Sequence, residues 1–320
     1  MLAKFFSVIF TILGLLLSSG SSEPRRCPAG YILVPGSSAY HTADFCVMKY
    51  DAKCDNPNPA CITKEGVYRD NAPGCSCTGA HHVVSTAPGA PLTYLPEVSS
   101  DAHNATTYCA AVGAHLINND EWMTIAKNVA SVPANWCNRD GTGCGNSPGA
   151  AGKILVNGHN DSRPSVALPA GEDTLPCFGT TPTNQCGSPS SQKRTHTLTN
   201  GEVIWDFAGN VWSWVDAVIA RKSQPRSLVP GLGNFRWTWA EFQTVPPSPD
   251  YTPTDPAWSS KEGVGRIFHY NSVGDTDPTL YTFIRGGNWR HGYDSGVFTI
   301  HMQPVPEKTN IDDVGFRCVL

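Results

Sequence analysis

Twelve cysteines, spread along a chain that opens on an apolar leader, constrain this sequence more than anything else in it. They stand at Cys27, Cys46, Cys54, Cys61, Cys75, Cys77, Cys109, Cys137, Cys144, Cys177, Cys186 and Cys318. Ahead of them, Lys4 precedes an apolar run at residues 5–17 (FFSVIFTILGLLL) and then the small residues Ser18, Ser19, Gly20, Ser21 and Ser22. That order is the three-part pattern of a secretory signal. The run is shorter than the roughly 20 apolar residues of a spanning helix. We read residues 1–22 as a signal peptide and the protein as exported, secreted or at a cell surface. An uncleaved N-terminal anchor is the alternative, and the one membrane attachment the sequence suggests.

An even number of cysteines in an exported chain reads as disulfides. Zinc is the rival at Cys75-Ser-Cys77 with His81-His82, but the two-residue gap of a zinc knuckle is missing. Short spacings suggest the pairs Cys137–Cys144 and Cys177–Cys186, in Gly/Pro/Ser/Thr-rich stretches with little core of their own. Pairing among Cys27, Cys46, Cys54, Cys61, Cys75 and Cys77 stays open.

The disulfides are needed because regular structure is scarce. Charged residues make up 16%, while Gly numbers 30 and Pro 26, a composition of turns and short strands. A net charge of −4 offers no basic stripe for nucleic acid. Residues 31–34 read as a short apolar strand after a turn, and residues 44–51 as a second strand by alternation. A helix is expected from Ser100 or Asp101 to Gly113, with Ala105, Tyr108, Cys109 and Val112 on one face. A second follows Asn118 or Asn119, with Trp122, Ile125, Ala126 and Val129 as its inward stripe and Asp120 and Glu121 at its positive end. Residues 133–200 show almost no period and read as ordered loops. Gly209-Asn210 splits a Trp-rich run into two buried segments, and residues 314–319 read as a final strand beside an early one. Together these describe one α+β domain over 23–320, with short strands, two main helices and long ordered loops.

Four segments stand in the order and spacing of the formylglycine-generating-enzyme (sulfatase-modifying factor) family. They are FCVMKYD at 45–51, TYCAAVGAHLINNDEW at 107–122, DFAGNVWSWV at 206–215, and RGGNW at 285–289 with GFRC at 315–318. The resemblance implies a variant C-type-lectin-like fold and a Cys109–Cys318 bridge. It also implies a calcium site at Asp206, Gly209 and Val211, although Ser213 stands where a glutamate is usual, and loss of a charged oxygen weakens a hard-cation site. The family's oxidases use two thiolates between the Arg-Gly-Gly turn and the final strand to bind copper and substrate. This chain has no cysteine between Gly286 and Arg317, and copper(I) favours such thiolates. No catalytic residue is therefore assigned. An oxidase or sulfoxide-synthase-type metalloenzyme with a non-standard site, and a structural envelope protein, are the rival readings.

The C-terminal stretch is most similar to the variable target proteins of diversity-generating retroelements. Residues 285–289, Gly292, 295–298 and 315–318 match their framework. The resemblance makes 288–313 a variable ligand-binding segment, with Arg290, His291, Tyr293, Asp294, His301, Gln303 and Lys308 as binding residues and Ile311, Asp312 and Asp313 as further candidates. Trp289, Val297, Phe298 and Phe316 would be buried as scaffold while Arg, His, Tyr and Asp face outward. Tyr and Arg are favoured at interface centres. The expected partner is an external protein or cell-surface ligand.

Overall fold

The computed structural model describes residues 26–56, 58–100, 103–140, 142–180, 192–229, 235–307 and 311–320. The expected signal segment, Cys186 and Lys308 lie outside the described residues. Within them the protein is a mixed α/β structure of short strands, two α-helices and several disulfides. No helix among the described residues is long and apolar enough to cross a membrane.

Helix α1 spans Ala105–Ala111 and starts later than the sequence suggests. Asn104 is its N-cap, its side chain accepting from the Thr107 amide at 2.8 Å. The amides of Ala105 and Thr106 donate to the Pro96 and Glu97 carbonyls, so the upstream chain packs beside the helix start instead of extending it. Helix α2 spans Asn119–Ser131 and opens on a capping box, Asn118 with Glu121. Its expected stripe is inward: Trp122, Ile125, Ala126 and Val129 are buried.

Two sheets carry the fold. One has four strands, ordered Tyr31–Val34, Phe45–Met48, Cys318–Val319 and His115–Leu116. Chain end and chain start therefore pair, Val319 opposite Val47. The other has six, ordered Arg236–Ala240, Ile267–Asn271, Ile300–His301, Leu280–Arg285, Trp212–Ala220 and Val314–Gly315. The strand expected at 314–319 is thus two strands in two sheets. Between them Phe316 and Arg317 are fully buried; their carbonyls accept from Ala52 and Ile117 at 2.9 and 3.1 Å.

Strand alternation makes the six-stranded sheet a partition between two cores. Val215, Phe283 and Ile300 join the cluster that contains α2. Trp212, Trp214 and Ile284 join the one that contains Ala105, Tyr108 and Cys109 of α1. The two Trp-rich halves flank the Gly209-Asn210 turn as strands Val203–Trp205 and Trp212–Ala220.

Five bridges join Cys27 to Cys46, Cys54 to Cys77, Cys61 to Cys75, Cys109 to Cys318 and Cys137 to Cys144. Cys75 and Cys77 are spent on disulfides, which removes them as zinc ligands. Cys177 is also disulfide-bonded; its expected partner Cys186 is outside the described residues.

Candidate functional site

The C-terminal segment is pinned by two glycine turns that lock together. Gly287 has φ +82°, and a Cβ there would lie 2.2 Å from Ser295 Oγ, so only glycine fits. Gly209 has φ +76°, and a Cβ would lie 2.6 Å from the His159 carbonyl. Across the pair, the Gly209 amide donates to Gly286 and the Trp289 amide to Asn210, both at 3.1 Å. Trp122 of α2 donates from Nε1 to the Val297 carbonyl at 2.8 Å. Trp289, Val297, Phe298 and Phe316 are at most 1% exposed, a rigid bed for the residues between them.

On this bed the segment's polar side chains divide into two groups. Arg290, Tyr293 and Gln303 are exposed. Arg290 lies over the Trp289 ring at 4.8 Å and pairs with Asp313 and Asp312 at 3.1 and 3.5 Å. Tyr293 is 62% exposed, with the Arg266 guanidinium 5.5 Å from its ring. Asp294, by contrast, is not presented outward. It binds Arg266 at 3.0 Å, and its carbonyl accepts from Thr299 Oγ1 at 2.6 Å, so it braces the turn. His291 is likewise half-buried, with Nδ1 2.5 Å from Asn288 Oδ1. Burial, helped by the charge of Arg290, pushes its pKa down to about 4, leaving a neutral ring near pH 7. Asn288 also donates to Asp313, whose carboxyl is pushed up by burial and by the charge of Asp312.

The structure brings His291 and His301 together on a shared aromatic floor. His291 meets Trp212 edge-on at 4.9 Å and Trp239 at 6.0 Å. His301 stacks on Phe268 at 4.3 Å and meets Trp212 at 5.7 Å and Trp239 at 5.9 Å. From Phe268 the rings continue to Trp237 at 6.0 Å, and from Trp237 to Tyr270 at 5.2 Å and Tyr281 at 5.1 Å. Trp237, Trp239, Phe268, Tyr270, Tyr281, His291 and His301 are all partly exposed. This belt crosses strands far apart in sequence, with Trp237 opposite Tyr270 and Trp239 opposite Phe268.

Sequence reasoning treats Trp237 and Trp239 as packing in a loop-rich stretch at 221–280 and does not single out Phe268, Tyr270 or Tyr281. The signal that would have found them is period two: Trp237-Thr-Trp239 and Phe268-His-Tyr270 put aromatics on one strand face, while Ile267, His269 and Asn271 are buried on the other.

The residues proposed for calcium are placed differently from the segment above. Both carboxylate oxygens of Asp206 accept from Arg194, at 2.7 Å each, and Asp206 is buried. A cation there would have to displace that guanidinium. Gly209 supplies the turn just described. Val211 packs with Trp289, and Ser213 sits in strand Trp212–Ala220 opposite Arg285. Among the described residues no group of three or more His, Cys, Asp or Glu is placed to hold a metal.

No protein-family model and no curated protein matches the chain. Among solved structures it is similar to variants of the Major Tropism Determinant. The P3c and U1 variants are each 16% identical with a TM-score of 0.35. The M1 variant is 14% identical with a TM-score of 0.36. Each alignment covers 92% of this chain and 52% of the other, so the chain spans about half the length of these structures.

Proposed function

We propose that this is an exported recognition protein with a C-type-lectin-like fold of the formylglycine-generating-enzyme superfamily, and that residues 288–313 form its diversified binding face. One observation carries the reading. The segment's framework residues are buried while Arg290, Tyr293 and Gln303 are exposed, and His291 and His301 converge on buried Trp212 and part-exposed Trp239. Rigid aromatics with adaptable polar neighbours suit a paratope-like surface, and conformational rigidity lowers the cost of binding. The sequence lacks the thiolate pair of the family's oxidases, which favours binding over catalysis. Asp294 serves this face as a brace, and Lys308 as a further contact in the same segment.

The test is a screen of the full chain against immobilised extracellular proteins and glycans, run beside the Arg290→Ala/His291→Ala/Tyr293→Ala/Gln303→Ala variant. We expect the variant to lose the ligand while unfolding at a similar temperature. A ligand bound equally by both proteins would sink the reading. Diversification is tested separately in the genome. A reverse transcriptase and a near-copy of the 3′ end should adjoin the gene, the copy differing at adenines of the codons for residues 290–294.

A further inference from the structure

The aromatic belt is edged by carboxylates in excess of the cations they hold. At one end Arg221 lies 4.6 Å over the Tyr270 ring, bound to Asp275 and Asp277 at 2.8 Å each. At the other end Arg290 is held by Asp312 and Asp313. On the flank Arg266 is held by Glu241 at 3.2 Å and by Asp294. Each edge repeats one unit, a guanidinium against a ring and between two carboxylates. Among the described residues, six carboxylates thus face three guanidiniums, or five cations if exposed Lys222 and Arg226, in the stretch that follows Arg221, are counted. Arg236 does not redress the balance, because alternation sends it to the strand face opposite Trp237. His291 stays neutral near pH 7.

Between these edges lie Trp237, Trp239 and Phe268. Ring faces attract ammonium and guanidinium groups, most strongly where the cation is partly desolvated. A surplus of fixed carboxylates around such rings steers basic partners inward and repels acidic ones. The protein already uses this chemistry internally, in all three edge units.

Building on the proposed recognition role, we infer that the belt formed by Trp237, Trp239, Phe268 and His301 docks a Lys- or Arg-bearing polypeptide segment of the external partner. Basic side chains would lie on the ring faces, with their charge shared among the edge carboxylates. Arg290 and Tyr293, at the exposed end, would select among such segments.

Fluorescein-labelled tetra-arginine, tetralysine, tetraglutamine and tetraglutamate peptides, and cellohexaose, are titrated against the full chain at low and moderate salt. Anisotropy reads the labelled peptides, and Trp emission reads the sugar. The basic peptides should bind, at least tenfold more tightly than tetraglutamine, and weaken as salt rises. Trp239→Ala should reduce their affinity at least tenfold, and Asp312→Asn/Asp275→Asn several-fold. Trp239→Phe should retain affinity within threefold, which separates loss of the ring from loss of the fold. Asp140→Asn, an exposed acid outside the belt, should change nothing. Equal binding of tetraglutamine, binding of cellohexaose but not of basic peptides, or indifference to Trp239→Ala overturns the inference. If no basic peptide binds while a ligand from the screen is still lost with the quadruple Arg290/His291/Tyr293/Gln303 variant, the basic-segment inference falls and the recognition reading stands.

Discussion

Arg317 shows how a side chain that reads as polar can be fully enclosed in the fold. It is 0% exposed and its Nη2 donates to Asp51 Oδ1 at 2.5 Å and to the Trp205 carbonyl at 2.6 Å. Its Nη1 donates to the Met48 carbonyl at 3.1 Å. It thereby fastens the strand Phe45–Met48 to the Trp-rich turn. Removing one partner of a buried pair strands the other charge, which costs about 3–5 kcal/mol. Arg317→Met should therefore unfold at markedly lower denaturant, and Arg317→Met/Asp51→Leu should recover much of the loss; an equally unstable double variant would refute the pair's role. Histidines give a second test at this scale. Burial pushes His196 and His269 down to about 4, below the unfolded value of about 6.5. Between those values the unfolded chain binds more protons, so their contribution is present above pH 6.5 and lost on acidification toward 4. His115 runs the other way: a hydrogen bond to Glu121 raises its pKa, so its contribution is present below about 6.5 and fades as pH rises through the folded value. Chemical denaturation from pH 4.5 to 7.5 should show His269→Phe flattening the acid loss and His115→Gln removing the opposing trend. Little of this was legible in the sequence: Arg317 is buried against Asp51, 266 residues away, and His196 against the Val156 carbonyl, 40 residues away, contacts that no local pattern announces.

Elements were legible wherever a local rule governs them. The α2 stripe and its Asn118 cap obey helix periodicity and capping, and Tyr31–Val34 forms where a short apolar run follows a turn, whereas Phe45–Met48, which alternates in sequence, is buried throughout. The start of α1 was not, because Ser100, Asp101 and Asn104 are all competent caps and the choice rests on carbonyls at 96 and 97. The aromatic belt escaped for a related reason: its strands are separated by proline-rich loops, and their pairing is non-local. The disulfides tie these elements together, and their expected worth depends on the loop each closes. The Cys109–Cys318 bridge joins α1 to the last strand across a separation of 209 residues, and Cys137–Cys144 spans 7. Chain entropy predicts that losing the longer bridge costs about 3 kcal/mol more. Paired Cys→Ala variants of each bridge, compared by urea unfolding, should show a large shift for the first and a small one for the second. Equal shifts would mean that local strain, not loop closure, sets their contribution.

At the scale of the whole molecule, burial divides the C-terminal segment into a bed and a face. The bed is over-determined. Trp289 is held by Asn210, Val297 by Trp122, and Phe298 by the core that contains α2. The face contributes little to that bed: Tyr293 and Gln303 project from it, and the core does not need them. Such an architecture tolerates rewriting at the face because the folding free energy resides elsewhere. Phe298→Ala should cost about 3–5 kcal/mol through the cavity it leaves. Tyr293→Ala and Gln303→Ala should each fall within about 0.5 kcal/mol of the parent. Thermal unfolding of the three variants measures the contrast directly. A large loss at Tyr293 or Gln303 would mean that the exposed residues are part of the scaffold. The segment could not then vary without unfolding the protein, and the proposal that it is a changeable recognition surface would have to be abandoned.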